Sequence, residues 1–550
     1  MNDANPAART AELLANGYRL GSAPLVTLPS DLAWTEDPLR DANWRFQLHS
    51  MRYVLDLMTT WRATSDPAPL ERALELLRDW VEDNPRYGAP SADAWGDHST
   101  ALRAVVLACV ADQVEPEPWL VAAMDLHGLT LADPSFYVHH GNHALNQAIG
   151  LLEVGRVLSH PDWIRLAADR INALVVESVD AEGVTNEQSI GYQGYNYRRY
   201  LRAKDRLLAV GAVPSEGFAR IDRMPDLLAW ATLPSGRYEM IGDTLDSRAG
   251  PIPGTLAEFA ASGGTSGPRP PSAIRAFGRG FLFVRSGWGE RRAFADETAL
   301  STKWGAAPVF HGHADGGQVT LAAWGSRLLL DPGMYAYMGG AYRWYFKGRS
   351  AHNVVTIDGM TWSPTATTSL VRLTTTARFV DIRTRNSGYA GVTQARRVTY
   401  SRGMDYLLVE DRVVSSTTHT YRQLWHLVED ASPLVGVSTV VTRRAHGNVL
   451  IRQLAGGPTL RVVTGATSPV QGWISYEYGR AVRAPVVQAV QRGTSVRYLT
   501  LIVPAAGRAA ASVSGLRLTT GGYSVTITIG ARSERVTVSG DSVWVTPLSG

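Results

Sequence analysis

Cysteine is nearly missing from this chain: among 550 residues there is one, Cys109. No internal disulfide can form, and no metal site can be built from several thiolates. Long apolar runs are missing as well. The stretch VVLACVADQV is broken at Asp112, far short of the roughly 18 residues that a membrane-spanning helix needs. Charge of one sign is scarce, since 54 basic against 50 acidic side chains leave a net +4. That excludes a dedicated nucleic-acid binder and still permits a local basic cleft. The opening MNDANPAARTAELLANGYRL has no basic segment followed by an apolar one. A cytoplasmic protein is expected as the sequence stands, and a secreted or periplasmic one if a signal was trimmed. No GxxxxGK[ST] and no strand–GxGxxG–helix unit occurs, so nucleotide and dinucleotide binding lack support. HExxH and GxSxG are absent too, which removes the usual marks of a zincin and of a serine hydrolase.

What is present suits a large globular protein. Apolar residues make up 45% and charged residues 19%, a balance that buries a sizeable core. At roughly 100–200 residues per domain, the length fits about three ordinary domains or two large ones. The first half reads as helices. After Asp66-Pro67, residues Leu70, Leu74, Leu77 and Val81 recur at helical spacing. His143 to Leu158 repeats the pattern, Pro161 opens another stripe (Ile164, Ala168, Ile171, Val175), and Tyr197–Leu208 and Ile221–Trp230 look similar. Then comes ASGGTSGPRPPS (261–272), a linker by composition. Beyond it the period becomes two, in FLFVRSGW (281–288), QVTLAAW (318–324), RLLLD (327–331), NVVTIDG (353–359), RRVTYSR (396–402), YLLVEDRVV (406–414), YSVTITIG (523–530) and ERVTVSG (534–540). The expectation is an all-α domain over 1–272 and an antiparallel β-sandwich over 273–550. The 16 Trp and 21 Tyr serve core packing or sugar-stacking surfaces.

Two constellations carry chemistry. FHGHADGG (310–317), LLLDPG (328–333) and RSAHNVV (349–355) supply His311, His313, Asp315, Asp331 and His352. Two imidazoles and a carboxylate are suitable zinc ligands; hydrogen-bonded sandwich residues are the plain alternative. A simple hairpin turning at Gly325-Ser326 sets Asp331 opposite Thr320, so a metal site needs Gly312, Gly316 and Gly317 to fold the preceding loop back. In the helical half, YVHHGNHALNQ (137–147) places Asn142 and His143 at a helix start. NEQSIGYQGYNYRRY (186–200) adds Tyr192, Tyr195, Tyr197, Tyr200, Arg198 and Arg199, which pack internally or line a cleft.

The set and its order resemble the heparinase II/III-like polysaccharide lyases. The resemblance rests on Asn142-His143, EQSIGY ending at Tyr192, HGHAD (311–315), DPGMYAY (331–337), RSAHNVVTIDG (349–359), AWGDHSTALR (94–103) and GRGFLFVRSGW (278–288). It runs from roughly residue 90 to 430. It implies a multidomain α+β fold: an incomplete (α/α) toroid followed by an antiparallel β-sandwich. Members cleave heparin, heparan sulfate, alginate and related uronate polymers. The resemblance makes Asn142 the binder of the uronate carboxylate, His143 a neighbouring active-site histidine, Tyr192 the catalytic tyrosine with Tyr195 as its alternative, and His311 the catalytic histidine of the β-domain. His313, Asp331 and His352 become zinc ligands; three protein ligands could leave an open catalytic position, but elimination at a uronate needs no metal-bound hydroxide, so a structural zinc is expected. Trp95, His98 and Arg103 are expected to face the cleft. Glu187, Tyr195, Arg198, Arg349 and His426 are further candidates for touching substrate.

β-Elimination needs these residue types. It removes the C5 proton of a uronate and expels the oxygen on C4, so the carboxylate must be neutralised as charge builds. An Asn amide or a cation does this. Tyrosine, with an ordinary pKa of about 10, acts as base only beside a cation; otherwise a histidine is base and tyrosine acid. Two other classes compete. A glycoside hydrolase needs a carboxylate pair, for which Asp243, Asp246 and Glu187 are on offer. A non-catalytic glycan binder needs only the aromatic surface. The expected partner is an acidic polysaccharide or oligosaccharide, with Arg198, Arg199, Arg343, Lys347 and Arg349 as a basic lining; neither nucleic acid nor membrane is expected, and the sequence carries no signal for oligomeric state.

Overall fold

The computed structural model describes residues 5–20 and 23–549. It divides into two compact units. The first takes the chain up to Asp180 together with Asn196–Asp222; the second takes Ala181–Tyr195 and everything from Arg223 onward. The Gly/Ser/Pro stretch 261–272 lies inside the second unit, irregular beyond Ala261.

The first unit is built from α1 (Pro6–Leu14), α2 (Ala42–Ser50), α3 (Val54–Thr64), α4 (Pro67–Asp83), α5 (Asp97–Ala111), α6 (Pro118–Ala132), α7 (Gly141–Val157), α8 (Pro161–Ser178) and α9 (Ile190–Ala209), whose residues through Tyr195 belong to the second unit. Helix starts follow their caps. Asp66 accepts from the amide of Ala68, with Pro67 at the first helical position. The buried stripe of α4 is Pro69, Ala73, Leu76, Leu77 and Trp80; Leu70, Leu74 and Val81 sit half-buried beside it. The buried Trp80 ring packs beneath the Arg103 guanidinium. In α8 Ala168, Ile171 and Val175 of the expected stripe are buried and Ile164 is half-buried, the stripe being widened by Trp163, Ala167 and Leu174. Helices α5 and α7 are buried on nearly all sides, as helices central to a bundle must be. Among the described residues no helix is long and apolar enough to cross a membrane.

The second unit is mostly antiparallel sheet, and three main sheets are formed among the described residues. A five-stranded one runs in chain order through Ile274–Phe277, Phe281–Arg285, Ala299–Lys303, Val319–Ala323 and Ser326–Leu329. The large one is centred on two long strands, Tyr406–His426 and Pro485–Ala505, paired over most of their length. A four-stranded meander closes the chain from Ser512 to Ser549. The central strands are buried on both faces, and alternate side chains enter different cores. Leu282 and Val284 share a core with Leu407 and Val409 of the large sheet. On the other face of that sheet, Tyr406 and Leu408 pack with Val525, Ile527, Val536 and Val538 of the meander. Phe281 and Phe283 point the opposite way, into a third core with Leu227, Leu228 and Trp230 of a short helix, Met224–Ala231. The pattern Ile221–Trp230, read above as one helix, is a 3₁₀ turn (Glu216–Arg223) followed by that helix, with Pro225 in its first turn.

The large sheet also buries two ion pairs. Arg396 pairs with Asp411 directly across neighbouring strands, and Arg397 binds Asp381. The hairpin before Asp331 turns at Trp324-Gly325, both with positive φ, rather than at Gly325-Ser326. A bulge between Leu321 and Ala322 then shifts the register.

Candidate active site

Within the second unit, one group of polar side chains gathers around Asp243. Its Oδ2 lies 2.9 Å from His311 Nδ1 and its Oδ1 2.9 Å from His313 Nε2. Arg343 clasps the same carboxylate with Nη1 at 2.6 Å and Nη2 at 2.8 Å. Burial alone raises the Asp243 pKa. The bonds from Arg343 and the two histidines outweigh it and hold the carboxyl far below its usual range. Three chain segments are thereby clamped. The Asp243 amide donates to the His311 carbonyl, the Ala314 amide to the Lys347 carbonyl, and Lys347 Nζ to the Phe310 carbonyl. The loop folds back as its glycines require. A Cβ on Gly312 would collide with Gln188, one on Gly316 with Thr368, and Gly317 has φ +83°.

Tyr192 stands in the first turn of α9. Its ring stacks on His311 with centroids 3.4 Å apart and planes 8° from parallel. Its hydroxyl shares a 2.6 Å hydrogen bond with that of Tyr337. Burial, the charge and hydrogen bond of Tyr337, and the negative charge of Glu187 and Asp243 all push the Tyr192 phenol well above its ordinary pKa. At neutral pH it therefore carries its proton. Glu187 is buried, with Oε2 3.7 Å from His311 Nε2. Tyr195 lies beside Tyr192, ring centroids 5.7 Å apart.

A second group completes the loop. Ligand atoms of His313, Asp331 and His352 lie within 4.8 Å of one another, all three residues buried. His313 Nδ1 and His352 Nε2 have no hydrogen-bond partner, and His352 Nδ1 lies 3.3 Å from Asp331 Oδ2. Unpaired buried imidazole nitrogens facing a carboxylate are what a divalent cation satisfies, so the residues fit zinc.

The first unit holds its own cluster. Asn142 is the second residue of α7 and is buried; its carbonyl accepts from Asn146 Nδ2. His143 Nδ1 lies 2.7 Å from Asp97 Oδ2, and its ring lies against that of His98, centroids 4.0 Å apart and planes tilted by 35°. His98 Nε2 accepts from Asn146 Nδ2. Burial raises the pKa of Asp97, but the bond and charge of His143 pull it below normal.

Several residues expected to touch substrate are instead internal. Arg103 is fully buried, its guanidinium 3.5 Å over the Trp80 ring and bonded to His127 Nε2 and the His49 carbonyl. Trp95 is buried and donates to the Asn84 carbonyl. Arg349 is buried, bonded to the carbonyls of Ala314 and Gly316 and stacked on Trp362 at 4.0 Å; burial lowers its pKa to about 10. His426 is held by Asn353 Oδ1, and burial pushes it down to about 3. These four are buried with internal partners; helix and strand periodicity cannot tell a polar side chain lining a cleft from one satisfied inside. Arg198 is exposed. Sequence reasoning missed Tyr337, though it stands inside the DPGMYAY motif, and missed the central place of Asp243, weighed above only as a hydrolase carboxylate.

Residues 14–260 match the family description "Heparinase II/III N-terminus" and residues 278–514 match "Heparinase II/III-like, C-terminal". A heparin-sulfate lyase of Pedobacter heparinus is 23% identical over 553 residues, covering 92% of this chain and 82% of that one. A heparin-sulfate lyase of Bacteroides stercoris is 22% identical, covering 88% and 79%. A crystal structure of heparinase III superposes with a TM-score of 0.84 at 17% identity, over 98% of this chain and 91% of that one. The chain belongs to the heparinase II/III-like family, whose fold is an incomplete toroid followed by an antiparallel β-sandwich. It is a polysaccharide lyase.

Proposed function

We propose that this protein cleaves a glycosaminoglycan of the heparan sulfate class by β-elimination at a uronate. The reading is carried by the Tyr192–His311 pair. Two proton-transfer groups are stacked face to face, one held protonated and the other tied to a carboxylate through Nδ1. That leaves His311 Nε2 to accept the C5 proton, while the Tyr192 hydroxyl gives its proton to the departing O4. The relatives' names support the substrate class. A hydrolytic reading has less support, because Asp243 is locked by Arg343 and Asp246 is paired with Arg237 and Arg327. Asn142 keeps the role its family resemblance gives it, as amide donor to the uronate carboxylate.

We assign zinc to His313, Asp331 and His352, with His313 binding through Nδ1. When bound, the ion supplies structural cross-linking of the loop that carries His311.

The test follows leaving-group chemistry. Tyr192→Phe should abolish release of unsaturated ends from heparan sulfate yet still eliminate fluoride from a uronide bearing fluorine on C4, which needs no acid. Asn142→Ala should lose activity on both by about 10²–10³-fold, the usual cost of one lost donor. Wild-type rates on heparan sulfate in Tyr192→Phe would overturn the assignment, and loss of fluoride release in that variant would make Tyr192 the base.

A further inference from the structure

The two histidines of the HGHAD loop have opposite ring nitrogens engaged, His311 through Nδ1 and His313 through Nε2, and both bonds end on one carboxylate. We propose that Asp243 is a positioning residue that couples the metal-holding histidine to the catalytic one, so that occupation of the His313–Asp331–His352 site fixes the orientation of His311. The inference rests on the functional reading above and adds a link between its two halves.

The argument is geometric. A carboxylate gripped by two nitrogens of one guanidinium cannot rotate, so the directions of its remaining lone pairs are set. As an acceptor only, it requires an N–H from each imidazole. His313 is thereby held as the Nε2–H tautomer, with a bare Nδ1 turned toward Asp331 and His352. His311 is held as the Nδ1–H tautomer, with a bare Nε2 on the side of Glu187. His311 and His313 are separated by one residue, Gly312, and a Cβ there would collide with Gln188. A displacement of His313 is therefore carried to His311 through both the backbone and the shared carboxylate. A ligand on His313 Nδ1 pins that ring, which pins Asp243, which pins His311. An amide in place of Asp243 cannot do this, since its NH₂ group has no lone pair for the second imidazole.

The experiment is a thermodynamic cycle on zinc-loaded enzyme with two variants, Asp243→Asn and His352→Gln. Zinc affinity is read by competition with a chromophoric chelator, and kcat and KM on heparan sulfate are read separately. Asp243→Asn should weaken zinc binding by about 10–100-fold, the usual cost of removing a partner of a metal-bound histidine. Each single variant should lower kcat by a similar factor with KM little changed, and the double variant should be no slower than Asp243→Asn alone. Formate should restore part of both zinc affinity and kcat in Asp243→Ala. Unchanged zinc affinity in Asp243→Asn, or kcat losses that multiply in the double variant, would overturn the proposal. The zinc titration needs no substrate. If the wild-type enzyme proved inactive on uronate polymers, the functional reading would fail while a crystal structure of zinc-loaded Asp243→Asn would still decide the inference: His311 unmoved refutes it, His311 rotated supports it. Should Asp243→Asn not fold, Arg343→Lys removes the two-pronged grip and replaces it in the same cycle.

Discussion

Arg103 shows how one residue organises the first unit. Its buried charge is met by the face of Trp80, by His127 Nε2 and by the His49 carbonyl. Such a cation forces its histidine neighbours to be neutral. His49 accepts from Trp80 Nε1 at Nδ1 and lies against the Trp34 carbonyl through Nε2. Burial, then the charge of Arg103, pushes it down to about 4. The folded pKa is below the unfolded value of about 6.5, so this contribution to stability is complete above that value and is lost as pH falls toward 4. Between pH 7 and pH 5, the single group should cost about 2 kcal/mol of unfolding free energy. Urea unfolding of the wild type and of His49→Gln at the two pH values measures it; an equal pH dependence in both would remove the argument.

At the scale of elements, two turns of the five-stranded sheet make a controlled comparison. Gly280 has φ +103°, and a Cβ there would collide with the carbonyl of Trp304; Gly325 has φ +68° and open space around it. Gly325→Ala should cost about 1–2 kcal/mol, the left-handed penalty alone. Gly280→Ala adds a backbone collision and should cost several kcal/mol, on the order of the worst overpacked sites, read as a drop in the denaturant midpoint. The same hairpins show what the sequence made legible. Short apolar strands and helices with broad apolar faces stood out, because burial gathers apolar residues into runs and stripes. The bulge after Leu321 and the turn at Trp324-Gly325 did not, since a Trp with positive φ carries no turn signal of its own. Arg349 and His426 read as substrate contacts for the same reason: a motif gives residue type and order, while the direction of a side chain depends on partners far along the chain. His311, His313, Asp331 and His352 were legible as a group. The carboxylate that joins two of them, sixty-eight residues before His311, was not.

At the scale of the molecule, the His313–Asp331–His352 group draws together three stretches of the second unit, so ligand binding there becomes folding free energy. At one hundred times the dissociation constant, the gain is about 2.7 kcal/mol, or several degrees of melting temperature for a unit of this size. Zinc added to chelator-stripped protein should raise the melting temperature by that amount in the wild type and not in His352→Gln. An equal rise in both would place the ion elsewhere.

The paired arginines of the large sheet have another effect. Arg396 and Arg397 are adjacent, so their side chains leave opposite faces of the strand, each to its own buried aspartate. A strand slipped by a single residue would exchange those faces and leave one of the two buried aspartates facing Ala395 or Val398 instead of an arginine. The long strands are rich enough in valine and leucine to pair in many alignments. These two charges penalise the misaligned ones, and so act as a spelling check on the assembly of the sheet.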